Sequence, residues 1–129
     1  MKRVLLKLSG EALAGDKHTG FDEATCLKVA GQVKRIMDDG IQVGIVIGGG
    51  NFWRGRTSEN IDRAKSDQIG MLATVMNCIY VSEIFRSTGM KTRIFTPFTC
   101  GPMAEMFTKD AVMESLEAGK AVFFAGGTG

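Results

Sequence analysis

Apolar residues along the chain gather in short runs separated by stretches of helical period. Val4 to Leu8 is largely apolar, broken only by Lys7, and predicts a first strand. A polar loop follows from Gly15 to Gly20, after which Phe21-Asp22-Glu23 has the form of a helix start, Asp22 capping and Phe21 preceding the cap. Leu27, Ala30, Val33, Ile36 and Met37 then share one face of a helix reaching about Asp39, and Gly40 stops it. Ile41 to Ile47 predicts a buried strand. From Ser66 to about Ser87 the positions Ile69, Leu72, Ala73, Met76, Ile79 and Tyr80 form an apolar stripe on a long helix. Thr92 to Thr96, ending at Pro97, and Ala121 to Ala125 predict two further strands, the last preceded by a helix from Lys109 to Ala118 that Gly119 closes. Strands alternating with helices imply an α/β fold: a mostly parallel sheet with right-handed crossovers and helices on both faces. No internal repeat or low-complexity linker interrupts the pattern.

In open parallel sheets, ligands collect at the carboxyl ends of the strands. Here those ends read Lys7-Leu8-Ser9-Gly10, Gly48-Gly49-Gly50, Thr96-Pro97-Phe98-Thr99 and Gly126-Gly127-Thr128-Gly129. Three glycine-bearing ends on one rim exceed what turn-making requires and favour a nucleotide or phosphate site. The triple glycine lets the backbone turn sharply and offer N–H groups to a ligand, and Arg54 adds a planar fork of donors suited to phosphate. A tight strand-to-helix turn beside a surface arginine is the plainer alternative. Asp67, expected in the first turn of the long helix, has two readings as well: a cap complementing the helix dipole, or an acceptor for ribose hydroxyls. Met71 and Met76 read as core or subunit-contact residues.

Two phosphate motifs fail on inspection. Gly10 to Gly15 has P-loop spacing, but Asp16 stands where the lysine belongs, and Lys17 falls one residue late. The dinucleotide fingerprint fails because Trp53 occupies its last glycine position.

Composition narrows the picture further. The 129 residues suffice for one small domain, and 44% hydrophobic content is ordinary for a globular chain. A net charge of +2 gives no reason to expect nucleic acid, and no apolar run looks long enough to span a membrane. Met1 to Leu6 begins like a secretory leader, but Lys7 interrupts it and no cleavage site follows. Three scattered cysteines, Cys26, Cys78 and Cys100, predict free thiols in a reducing cytoplasm and no metal site. The one histidine, His18, lies in the polar loop and reads as solvated.

Three runs carry a family resemblance: Lys7-Leu8-Ser9-Gly10-Glu11-Ala12-Leu13, Ile47-Gly48-Gly49-Gly50-Asn51-Phe52-Trp53-Arg54-Gly55 and Asp67-Gln68-Ile69-Gly70-Met71-Leu72-Ala73-Thr74-Val75-Met76-Asn77. Together they resemble the bacterial uridylate (UMP) kinases of the amino-acid-kinase superfamily. The first two runs occur loosely across that superfamily, and the third is much more specific to the uridylate branch. Phe124-Ala125-Gly126-Gly127-Thr128-Gly129 also resembles a family segment.

The resemblance implies a three-layer sandwich and transfer of the γ-phosphoryl group of ATP, with Mg2+, to UMP. Lys7 would be the catalytic cation; Lys7, Leu8, Ser9, Gly10, Gly50 and Arg54 would bind ATP; and Gly49, Asp67, Thr128 and Gly129 would bind UMP. It further implies a cytoplasmic homo-oligomer, usually a hexamer, with the long helix at a subunit contact, and GTP activation and UTP inhibition in pyrimidine nucleotide synthesis. Family members continue for nearly another chain of this length. Residues 1–129 are therefore expected to be the amino-terminal part of one domain, chiefly its UMP-binding half, with the sheet incomplete and the residues alone inactive. Two other readings stay open: a sister kinase acting on a carboxylate or carbamate, and a module that binds UMP without catalysis.

Overall fold

The computed structural model describes residues 2–54 and 60–127. Five strands, β1 (Arg3–Leu8), β2 (Gln42–Ile47), β3 (Thr92–Thr96), β4 (Glu105–Met106) and β5 (Ala121–Phe124), form one sheet in the order β1-β2-β5-β3-β4. Every pairing is parallel, as the alternation of strands and helices predicts. The helices are α1 (Gly10–Ala14), α2 (Glu23–Asp38), α3 (Arg63–Ser87) and α4 (Lys109–Glu117).

Strand alternation divides the molecule into three layers. Val43, Ile45 and Ile47 of β2 and Ala121 and Phe123 of β5 point to one face, where they meet Cys26, Ala30 and Val33 of α2 and Val75, Cys78, Val81 and Phe85 of α3. Phe85 and Phe123 meet edge to face at 5.1 Å. The other face is smaller: Phe95 and Val122 pack against Val112 and Leu116 of α4, with Phe124 beside them. Leu5 and Lys7 of β1 lie exposed on this second face, and Leu5 keeps 61% of its surface accessible.

The helix caps follow local chemistry. Asp22 accepts from the Thr25 amide at 3.0 Å and hydroxyl at 2.5 Å, as its place before α2 predicts. These two bonds, the hydroxyl's first, hold its carboxyl below the usual range. Phe21, just before the cap, stacks on Tyr80 of α3 at 3.9 Å. Thr108 caps α4.

The structure departs from the sequence reading at four points. Residues 10–14, to which the sequence reading gave no element, form α1, which Ser9 caps. Part of the expected polar loop, Gly15–Lys17, is a 3-10 turn. The two-residue β4 is too short to leave a periodic signal; Arg93 of β3 pins it by paired bonds of 2.7 and 2.6 Å to Glu105. The long helix begins at Arg63, where Asp62 accepts from the Lys65 amide at 3.3 Å; Asp67 is therefore not its cap.

The expected stripe on α3 also faces the other way. Of its members only Ala73 is fully buried, while Leu72 is 55% and Met76 47% exposed. Apolar residues occupy both sides of α3, so periodicity alone could not choose the inward face. The choice falls to Ser66, Thr74, Asn77 and Ser82, polar side chains buried where loops or a neighbouring strand supply hydrogen-bond partners. The same two-sided character makes this helix long and apolar enough to cross a membrane by length and composition, contrary to the sequence expectation, although much of it packs in the core.

Cys26 and Cys78 are free thiols in the larger core. Burial pushes Cys78 up to about 12, and burial with the nearby Asp22 carboxylate pushes Cys26 up to about 11, from an ordinary 9.0. The folded state holds these protons above the pH at which the unfolded chain releases them. Their contribution to stability is therefore full below pH 9.0 and is lost as pH rises through 11 to 12. Denaturation midpoints measured upward from pH 9.0 are expected to fall, and a Cys26→Ala, Cys78→Ala variant to fall less steeply; equal slopes would refute this assignment.

Candidate functional site

The carboxyl ends of β1, β2 and β5 meet at one rim, and the triple glycine lies between them. Gly48 donates its amide to the Leu8 carbonyl at 3.0 Å, and Phe52 and Trp53 both donate to the Gly49 carbonyl, closing a tight turn. Gly10 sits beneath this turn. A Cβ there would come within 2.4 Å of the Gly48 oxygen and 2.6 Å of Asn51 Oδ1, so no larger residue fits without moving backbone. At Gly49 an added Cβ would lie 2.9 Å from Ala73 Cβ, because the loop rests directly on α3.

Beneath the loop, Asn51 and Asn77 form a buried amide pair. Asn51 Nδ2 donates to Asn77 Oδ1 at 3.0 Å and to the Gly20 carbonyl at 2.9 Å. Asn77 Nδ2 donates to Asn51 Oδ1 at 2.8 Å and to the Gly48 carbonyl at 2.7 Å. The Asn51 carbonyl in turn accepts from the Thr19 hydroxyl and the Gly20 amide.

A cavity of about 300 Å³ opens between the glycine run, the first turns of α3 and the end of β5. Gly48, Gly49, Trp53, Asp67, Gly70 and Gly126 are among its lining residues. Trp53 is fixed by donating its indole N–H to Ser66 Oγ at 2.9 Å. Thr74 Oγ1 donates to the Met71 carbonyl and accepts the Gly126 amide at 2.7 Å, tying the end of β5 to α3. A wider cavity, about 490 Å³, lies at the opposite end of the sheet among Lys34, Gly40, Gly89 and Gly119. The smaller one is the better candidate, because it stands at the carboxyl ends of parallel strands and gathers backbone donors with an acidic side chain.

The residues singled out from sequence fall into two neighbourhoods. Gly49 and Asp67 line the cavity on the α3 side. Lys7, Ser9, Gly10, Gly50 and Arg54 do not line it. Lys7 is exposed at the end of β1 on the sheet's other face, and Ser9 caps α1 by accepting from Ala12 at 3.4 Å. Gly50 abuts Glu11, whose carboxylate pairs with Arg54 at 2.5 Å. Leu8 reaches the rim through its backbone carbonyl, its side chain packing toward the core. Thr128 and Gly129, like Gly55 of the second run, lie outside the described residues. Sequence reasoning placed Gly126 at a glycine-bearing strand end of the rim, and it missed Trp53, Gly70 and Thr74. Asp67, Gly70, Met71 and Thr74 recur at helical spacing, a signal present in the chain but masked by the apolar stripe beside it. Among the described residues no three His, Cys, Asp or Glu side chains gather to hold a metal ion.

Comparison with known proteins gives a consistent result. The amino acid kinase family model matches residues 2–129. A uridylate kinase of Bacteroides thetaiotaomicron is 46% identical over 130 residues, covering 99% of this chain and 55% of that protein. The crystal structure of a UMP kinase from Bacillus anthracis superposes with a TM-score of 0.92 at 38% identity, over 98% of this chain and 53% of that one. One from Ureaplasma parvum gives 0.92 at 25% identity, over 99% and 57%. The chain thus spans about half the length of these relatives.

Gly10→Ala is expected to force the β1 and β2 loops apart and lower stability by about 1–3 kcal/mol, the scale of overpacking a filled site. The denaturation midpoint reports it, and an unchanged midpoint would mean that the two loops do not press together.

Proposed function

The chain belongs to the amino acid kinase family, and we propose that it carries the acceptor half of a UMP kinase site, serving transfer of the γ-phosphoryl group of ATP to UMP. The observation that carries this reading is the rim cavity, where the glycine run and Asp67 of α3 face one space. Support comes from the 46% identity to a uridylate kinase, which extends over 99% of this chain. Residues 1–129 are read as one contiguous part of a single amino-acid-kinase domain.

In this reading Gly49 and Asp67 hold UMP, the glycine through its backbone and the aspartate through ribose hydroxyls, with Thr128 and Gly129 continuing the same segment. Lys7, Ser9, Gly10, Gly50 and Arg54, with the Leu8 backbone, serve the ATP phosphates. A UMP phosphate oxygen attacks the γ-phosphorus, the bond to the ADP oxygen breaks, and ADP leaves with that electron pair. Charge builds on the oxygens of the group in flight, so fixed cations and N–H donors supply the catalysis and no protein nucleophile is needed. Mg2+ would arrive on the ATP phosphates; the described residues gather no carboxylate cluster for it, and no step is assigned to it.

The exposed α3 residues Ile69, Leu72, Met76 and Ile79 support a homo-oligomer with this helix at a subunit contact, a hexamer by analogy with the family. GTP activation and UTP inhibition belong to the same reading. Free thiols fit a cytoplasmic enzyme supplying pyrimidine nucleotides.

UDP formation from MgATP and UMP tests the reaction; phosphorylation of glutamate in place of UMP would refute it. In the complete protein, Lys7→Ala is expected to lower kcat roughly a hundred-fold or more, on the scale of losing one preorganised donor. A near-normal kcat would remove Lys7 from the mechanism. Asp67→Asn is expected to raise KM for UMP much more than KM for ATP, and equal rises would point instead to a disturbed helix.

A further inference from the structure

We infer that the Asn51–Asn77 amide pair is a positioning device for the glycine run, with Asn77 setting the Gly48–Gly49 peptide plane so that the Gly49 amide faces a phosphate. The inference deepens the site reading above and rests on it for the identity of the ligand.

Both asparagines are buried, at 2% and 0% accessibility. Each side-chain nitrogen has two hydrogens, and all four are used: two within the pair, one on the Gly20 carbonyl, one on the Gly48 carbonyl. Stability alone does not call for such a pair, since two apolar side chains of similar shape can serve a core equally well. What an apolar pair cannot do is hold the Gly48 oxygen. In a trans peptide the carbonyl and the following N–H point in opposite directions. The 2.7 Å bond that draws the Gly48 carbonyl down to Asn77 therefore turns the Gly49 N–H away from α3's buried face.

A second observation points the same way. Among the described residues, neither the Gly49 nor the Gly50 amide donates to a protein acceptor, whereas Gly48, Phe52 and Trp53 all do. Consecutive free N–H groups at the end of a strand form a concavity suited to an anion. The peptide plane is also confined from the opposite side, because Gly10 lies against the Gly48 oxygen. Asn77 thus completes the lower half of a seat whose upper half is open.

The test uses 15N-glycine-labelled protein titrated with inorganic phosphate and with UMP, alongside steady-state kinetics. The Gly49 amide resonance of the wild type is expected to move downfield with either ligand. Asn77→Leu is expected to weaken phosphate binding and raise KM for UMP about tenfold, the scale of one lost hydrogen bond, with kcat changed much less. The Asn51→Leu, Asn77→Leu double variant removes both buried amides, so it is expected to recover melting temperature relative to the single variant without recovering phosphate affinity. Recovery of both together would make the pair merely structural and overturn the inference. Where neither variant folds, the wild-type titration decides: a Gly49 amide unmoved by saturating phosphate overturns the inference, and one that moves supports it. UMP turnover with an unmoved Gly49 amide would sink this inference and leave the kinase reading intact; a phosphate-induced shift in the complete protein without turnover would do the reverse.

Discussion

A buried hydrogen-bonded pair of amides joins the parts that the site depends on. Asn77 stands one turn after Thr74 on α3, and these two side chains reach separate strand ends: Asn77 takes the Gly48 carbonyl after β2, and Thr74 takes the Gly126 amide after β5. Asn51 extends the connection to Gly20. Three loops far apart in sequence are therefore fixed to one helical segment. Their backbone groups would otherwise face a dry interior without partners, which costs more than the bonds themselves contribute. Within the described residues no buried side-chain polar atom is left without a partner. The requirement that buried polar groups be matched is what places the glycine run.

This explains what could be read from the sequence and what could not. Strand positions were legible because β2 and β5 are continuous apolar runs with sharp glycine boundaries, and the cap at Asp22 was legible because its chemistry is local. The inward face of α3 was not legible. Its buried side carries Ser66, Thr74, Asn77 and Ser82, residues that periodicity assigns to solvent and that only distant loops can satisfy. The start of α3 was misplaced because the apolar stripe begins only at Ile69, while the cap that sets it, Asp62, lies a turn and more before. Gly49 and Asp67 were found from motif and resemblance, and the fold brings them to one cavity. Trp53 and Thr74 became visible only once α3 was laid against the loop.

The glycine run is thin enough to serve two sides. Gly49 rests on α3, while its neighbour Gly50 rests on α1 beside Glu11, so adjacent residues belong to different surroundings. Lys7 approaches the same rim from the sheet face that α4 only partly covers. For a reaction that brings two phosphate chains end to end, a narrow wall of backbone limits the separation of groups on its two sides. Side chains on that wall would widen it.

Arg54 already has an anion. The Glu11 carboxylate holds it at 2.5 Å, with both side chains about half exposed. A phosphate that takes this guanidinium does so by exchange, and the free energy released is the difference between two ion pairs, not the whole of one. The carboxylate acts as a resident competitor, tempering attraction toward every passing anion and leaving the advantage to ligands that engage several donors at once. Selectivity on this rim is thus a property of the empty protein's own counterion as much as of the groups that replace it.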